Sequence, residues 1–124
     1  KVQTMKILIV DDSKAMRMIV TRTLKQTDLS GYTTLEASNG NEALEMIDKE
    51  KPDLVLSDWN MPEMKGIELL HKVREAGNRV NFGFVTSESS AETRETALAA
   101  GASFVLTKPF TADSMQSALE PVLS

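Results

Sequence analysis

Five short apolar runs, each stopped by a polar residue and followed by a stretch of helical periodicity, constrain this chain more than anything else in its sequence. The first is Met5-Lys-Ile-Leu-Ile-Val10, cut off by Asp11-Asp12-Ser13. A run this short, rich in branched apolar residues, reads as a buried strand ending in a polar loop. From Lys14 to about Gln26 the residues Met16, Ile19, Val20 and Leu24 recur at the spacing of a helix face, and Ser13 stands where a cap belongs. Tyr32 to Ala37 predicts a second strand. Asn39-Gly40 breaks the chain, and Glu42 to Lys49 predicts a helix with Ala43, Leu44 and Ile47 inward.

Pro52 leads into Asp53-Leu-Val-Leu-Ser57, a third strand ended by Asp58. Pro62 to Gly66 reads as a loop, and Ile67, Leu69, Leu70 and Val73 mark a helix that stops near Gly77. Asn81 to Thr86 predicts a fourth strand, weakened by Gly83. Ser89 or Ser90 opens an alanine-rich helix that ends at Gly101. Ala102 to Thr107 predicts a fifth strand, broken by Lys108-Pro109. A last helix runs from about Ala112 to Leu123 with Met115, Leu119 and Val122 on one face, and Pro121 is expected to fray its end.

Strands that alternate with helices imply an α/β fold: a five-stranded parallel sheet covered by helices on both faces, with right-handed crossovers. With the flavodoxin-like order 2-1-3-4-5 it is a (βα)5 three-layer sandwich. The 124 residues fit one domain over 1–124, and 41% hydrophobic residues suffice for its core. The sequence shows no linker, repeat or low-complexity segment.

Acidic residues exceed basic ones by 18 to 14, for a net charge of -4. That argues against nonspecific binding of nucleic acid or of anionic membranes. With no cysteine and a single histidine, His71, a disulfide scaffold and a Cys- or multi-His metal site are excluded. A bound metal would be an oxygen-liganded one such as magnesium. No apolar run approaches the ~18 residues of a bilayer span, so the expectation is a soluble, cytoplasmic protein with no membrane insertion.

The polar residues at the strand ends carry the chemistry. Asp11 and Asp12 follow strand one, Asp58 ends strand three, Thr86 ends strand four and Lys108 follows strand five. Open α/β sheets bind ligands at the carboxyl ends of their strands, at the topological switch point, here between strands one and three. Carboxylates gathered there repel one another unless a cation sits between them, and Mg2+ suits such a site because it keeps positions for water and phosphate oxygens. A lysine and a threonine hydroxyl opposite offer a phosphoryl group a point charge and a hydrogen-bond donor. The set is suited to phosphoryl transfer with a carboxylate as nucleophile.

Over nearly its whole length the sequence resembles the receiver domains of two-component response regulators. The resemblance rests on Asp11-Asp12, on Asp58 with Trp59-Asn60-Met61-Pro62, and on Gly66, Thr86 and Lys108-Pro109-Phe110. Asp58-Trp-Asn-Met-Pro-Glu, Gly101-Ala-Ser and Lys108-Pro-Phe-Thr are most like stand-alone chemotaxis regulators of the CheY type. It implies that Asp58 accepts a phosphoryl group from a sensor histidine kinase. It also implies that Asp12, Asp58 and the backbone carbonyl of Asn60 hold magnesium, with Asp11 acting partly through water. Lys108 would pair with the phosphoryl group, Thr86 would swing toward it, and the Lys108-Pro109 peptide would be cis. The helix 4/strand 5/helix 5 face would then bind a downstream target. Asn60 and Glu88 match the chemotaxis type and imply a short-lived phosphoryl state. Such a protein is a phosphoacceptor switch and an enzyme only in its self-phosphorylation and self-dephosphorylation.

The family commonly carries Tyr or Phe three residues before the lysine, whereas this chain has Val105. Phe104 should face the opposite side of its strand. The departure bears on the output switch and not on phosphorylation, and it gives weight to a second reading, a receiver that docks independently of phosphate. A magnesium-dependent aspartyl phosphohydrolase is a third reading. It is disfavoured because such enzymes place an acid two residues after a strand-one nucleophile, where this chain has Ser13. Blander roles exist too: Asp11-Asp12 as helix-capping acids, Lys108 as a solvated lysine, Thr86 as a plain strand residue. Trp59 is either a lid beside the site or an aromatic that shields it. His71 reads as a surface residue and the methionines as core filler.

Overall fold

The computed structural model describes residues 5–87 and 90–123. The elements follow in the order β1 (Met5–Val10), α1 (Lys14–Lys25), β2 (Tyr32–Ala37), α2 (Gly40–Glu50), β3 (Leu54–Asp58), α3 (Gly66–Glu75), β4 (Asn81–Thr86), α4 (Ala91–Ala99), β5 (Phe104–Thr107) and α5 (Ala112–Leu123). The five strands form one parallel sheet in the order β2-β1-β3-β4-β5, as expected from the sequence.

Alternate residues along each strand feed two separate cores, which is why the apolar runs are continuous instead of alternating. Leu8, Val10, Val55, Phe82, Phe84 and Val105 face the layer of α2, α3 and α4. Ile7, Ile9, Leu54, Leu56, Val85 and Leu106 face α1 and α5. Phe104 packs against this second core, on the face opposite Val105, as the strand period requires.

Helix ends follow local chemistry. Ser13, Asn39 and Ser90 accept the backbone N–H of Met16, Glu42 and Thr93 and so cap α1, α2 and α4. Of the two candidate openers of α4, Ser90 is the cap; Ser89 and Glu88 lie outside the described residues. The helices α3 and α4 end alike. Gly77 and Gly101 take positive φ of 81° and 105°, and the next residues, Asn78 and Ala102, donate back to Val73 and Ala97.

Some boundaries differ from the sequence reading. Strand five begins at Phe104 rather than Ala102, because the Ala102 N–H closes the end of α4. Asn39-Gly40 does not stand outside the second helix but starts it. Ile19 shares the α1 periodicity yet is 43% exposed, beside Met18 at 53%. The α1 face that packs is narrower, made by Val20, Thr23 and Leu24 with Met16 partly buried against the same core. Pro121 does not fray α5, which continues to Leu123. The proline removes one N–H in the final turn, Leu119 is fully buried just before it, and the Val122 carbonyl accepts from Asn81 Nδ2 at 3.4 Å.

Gly83 is a packing requirement more than a weak point. A Cβ there would meet the Phe104 ring at 2.2 Å, so the ring lies directly on the β4 backbone. Gly83→Ala is therefore expected to lower stability by roughly 1–3 kcal/mol through overpacking. Phe104→Leu in the same background should recover much of that loss. Urea unfolding of the two single variants and the double variant checks this; additive losses would remove the contact from the account.

Candidate functional site

The site is assembled by strand pairing. Val10 lies opposite Ser57 in the β1–β3 ladder, so the residues that follow, Asp11 and Asp58, emerge side by side. Asp11 is buried and Asp12 exposed, while Asp58 is half-buried at the tip of β3. One carboxylate oxygen from each of the three lies within 4.8 Å of the others. Lys108 brings the countercharge. Its Nζ stands 3.4 Å from Asp58 Oδ1 and 3.9 Å from Asp11 Oδ2. The Lys108 N–H donates to the Thr86 carbonyl at 2.7 Å, which extends the β4–β5 ladder by one residue and aims the side chain across β4. The Lys108-Pro109 peptide is cis, as the resemblance implied.

Asp11 is held from both ends. Its Oδ1 accepts the Ser13 N–H at 2.9 Å, and its carbonyl accepts from an Arg17 terminal nitrogen at 2.6 Å. The Arg17 Nε is in turn fixed by Glu36 at 2.7 Å. The sequence reading missed Arg17, which looks like any basic residue on a helix. Its role depends on α1 passing directly above the end of β1, and no local motif signals that.

The loop after β3 is tied down as well. Asp58 Oδ1 accepts the Trp59 N–H at 2.9 Å, and the Trp59 carbonyl accepts the Gly66 N–H at 3.0 Å. A Cβ at Gly66 would lie 2.3 Å from the Asp58 carbonyl oxygen, so this approach requires glycine. Met61 and Met64 are buried and anchor the loop. Asn60 between them is exposed, and its carbonyl accepts no hydrogen bond from the described residues. Trp59 is partly buried, its ring edge-on to Phe84 at 4.9 Å, which favours the shielding role over that of an open lid. Thr86 is 1% exposed at the end of β4, one residue past Val85, the partner of Asp58 across the ladder. His71 is exposed on α3, away from the carboxylates in the sequence of elements and outside their cluster.

Burial pushes the Asp11 carboxyl above its ordinary range. The Ser13 N–H opposes that, the Asp58 charge adds to it, Lys108 opposes it and Asp12 adds to it. Three carboxylates facing one ammonium leave the cluster short of positive charge. All the donors are oxygens, the Asn60 carbonyl is unspent, and one edge is open through Asp12. That set fits a hard divalent cation such as magnesium, which takes a few carboxylates and retains water.

A family model described as "Response regulator receiver domain" matches residues 7–120. The chain belongs to the response regulator receiver family. Among curated relatives of this receiver, the "Chemotaxis protein CheY1" of Helicobacter pylori is 44% identical, over 96% of this chain and 97% of that protein. A "Chemotaxis protein CheY homolog" of Campylobacter jejuni is 42% identical, over 96% of this chain and 92% of its own length. Among solved structures, the chemotaxis protein CheY4 of Vibrio cholerae superposes with a TM-score of 0.86 at 35% identity, covering 97% of this chain and 99% of that one. The receiver fold, the two-component assignment and the likeness to chemotaxis regulators thus agree with the sequence reading.

The raised Asp11 carboxyl sets a stability prediction for the metal-free receiver. An acid raised in the folded state favours folding below its unfolded pKa of about 3.8 and loses that contribution as pH rises through its folded pKa. At neutral pH the ionised Asp11 is a cost, so Asp11→Asn is expected to stabilise the metal-free protein. The gain should shrink on acidification toward pH 3.8. Magnesium should stabilise the parent more than the variant. Urea midpoints at several pH values, with and without magnesium, check all three.

Proposed function

We propose that Asp58 is the phosphoacceptor of a two-component signalling switch, with residues 1–124 acting as one receiver domain. The observation that carries this is the Lys108 ammonium 3.4 Å from Asp58 Oδ1, with the Asp11 and Asp12 carboxylates clustered beside Asp58. One Asp58 oxygen attacks the phosphorus of a histidine-kinase phosphohistidine or of a small phosphodonor. A P–O bond to Asp58 forms as the bond to the donor's leaving group breaks, and the leaving group carries off the electron pair. Lys108 is placed to follow the new phosphoryl oxygen, and the Thr86 hydroxyl is the candidate donor on the β4 side. Asp12, Asp58 and the Asn60 carbonyl would hold magnesium, with Asp11 acting partly through water; bound there, the ion supplies positive charge to the carboxylates and to the phosphoryl oxygens.

The output face in this reading is α4, β5 and α5. Its first element is held loosely: α4 buries only Ala97, and Leu98 is 47% exposed. Such an element is suited to a small shift in population between two positions. The named relatives, called chemotaxis proteins, support a chemotaxis-like target, and a cytoplasmic setting belongs to the same reading. Among the described residues no helix is long and apolar enough to cross a membrane. Catalysis is confined to the domain's own phosphorylation and dephosphorylation.

The phosphohydrolase reading gains nothing from Ser13, whose hydroxyl accepts the Met16 N–H as the α1 cap and is no acid. Docking independent of phosphate keeps one point in its favour, the aliphatic Val105, buried on the α4 side of the sheet.

Incubation with acetyl phosphate and magnesium should add the mass of one phosphoryl group, and Asp58→Asn should abolish the gain. Lys108→Arg should still be phosphorylated but respond weakly, since the longer planar group cannot replace a point charge at this spacing. Intact-protein mass spectrometry reads the first effect. Binding of a target at the α4–β5–α5 face, with and without beryllofluoride, reads the second. A mass gain in Asp58→Asn would sink the assignment.

A further inference from the structure

At the sheet edge opposite the carboxylates, the ends of α3 and α4 and the starts of β4 and β5 surround an open cleft of about 560 Å³. No acidic side chain lines it, although the chain as a whole carries a charge of -4. Two guanidinium groups do, Arg74 and Arg79.

Arg74 has a structural explanation. Its two terminal nitrogens donate to the Asn78 carbonyl at 2.9 Å and the Gly101 carbonyl at 2.8 Å, which staples the end of α3 to the end of α4. Cations at helix carboxyl ends are favoured by the dipole. Arg79 has no such explanation. It is exposed, and among the described residues it has neither a hydrogen bond nor a carboxylate within 4.0 Å. It nonetheless sits near enough to a fixed cation that its charge helps push the Arg74 pKa down, after burial. Both guanidinium groups line the same cleft, and only Arg74 is committed to backbone carbonyls. One neighbouring polar group has a donor to spare. Asn78 Oδ1 takes the Val80 N–H at 2.9 Å, which leaves its amide nitrogen unspent, whereas the Ser103 hydroxyl donates to Asn81 Oδ1 at 3.5 Å. Ala99, Ala100 and Gly101 make a floor of small residues.

We propose that this cleft binds a small phosphate monoester, its dianionic phosphate at Arg79 and the outer edge of Arg74, its body across Ala99–Gly101. Two adjacent guanidinium groups match two negative charges on one compact group, which a single carboxylate does not supply. The volume suits a metabolite-sized ligand. The site is remote from Asp58, so it stands or falls apart from the function proposed above.

The test uses glycerol 3-phosphate as probe on the intact, metal-free protein at fixed ionic strength, followed by backbone amide NMR. Saturable shifts are expected at Gly77, Asn78, Gly101 and Ser103, with affinity at least tenfold weaker in Arg79→Gln. Arg79→Lys should recover part of the loss, because it keeps the charge without the fork. Shifts confined to Trp59 and its neighbours, equal shifts in Arg79→Gln, or the same pattern with succinate at matched ionic strength would each overturn the proposal.

Discussion

Asp11 and Asp58 are neighbours because β1 and β3 pair in parallel with Val10 opposite Ser57. A parallel ladder sends both chains out of the sheet at the same edge, so carboxylates that end the two strands must meet. Everything else at that edge answers their repulsion. Ser13 donates its N–H to Asp11, Trp59 donates its N–H to Asp58, and Lys108 reaches over from β5, two strands away from β3, to touch both. The burial that makes Asp11 hard to ionise is the same burial that makes a bound cation favourable there. The site is stable as a structure and unsatisfied as a charge distribution, which is the condition a ligand can exploit.

The strands and the strand-end residues were legible because they depend on local signals: a branched apolar run, then a carboxylate, threonine or lysine. Strand order and the meeting of Asp11, Asp12, Asp58 and Lys108 followed from that pattern plus the switch-point rule. What was not legible depends on distant atoms. Ala102 has strand composition, but its N–H is claimed by α4. Ile19 has helix periodicity, but α1 packs on a narrow stripe and leaves it exposed. Pro121 breaks helices in general, yet here it sits in a last turn already anchored by Leu119 and Asn81. Arg17 reaches back over Asp11, and nothing in its neighbours announces that.

Val105 is where the sequence departs from the family habit, and the structure gives the departure a physical setting. The aromatic residue of β5 is one position earlier, turned toward α1 and α5 and laid on the bare backbone of Gly83. On the α4 side the aromatic groups come from other strands instead. Phe84, across the ladder from Val105, is edge-on to Trp59 and 5.3 Å from Phe82. Asp58 holds the Trp59 N–H, and the Trp59 ring meets Phe84, so the strand-end carboxylate is joined to the α4-side core by direct contacts.

The carboxylate cluster at one end of the strands and Arg74 at the other sit where the topology favours them. In a parallel α/β fold every helix begins near the carboxyl ends of the strands and finishes near their amino ends. The helix dipoles therefore make the first edge favourable to anions and the second to cations. The Asp11–Asp12–Asp58 cluster stands at the start of α1, where N–H groups such as that of Ser13 face it. Arg74 stands where α3 and α4 finish, with backbone carbonyls to receive it. Both placements follow the backbone field. Each cluster then holds charge that its own neighbours leave unpaired: at one, three carboxylates against a single lysine; at the other, Arg79 in the same cleft as an arginine already bonded to carbonyls. The surplus at each edge is the charge a ligand of opposite sign would meet.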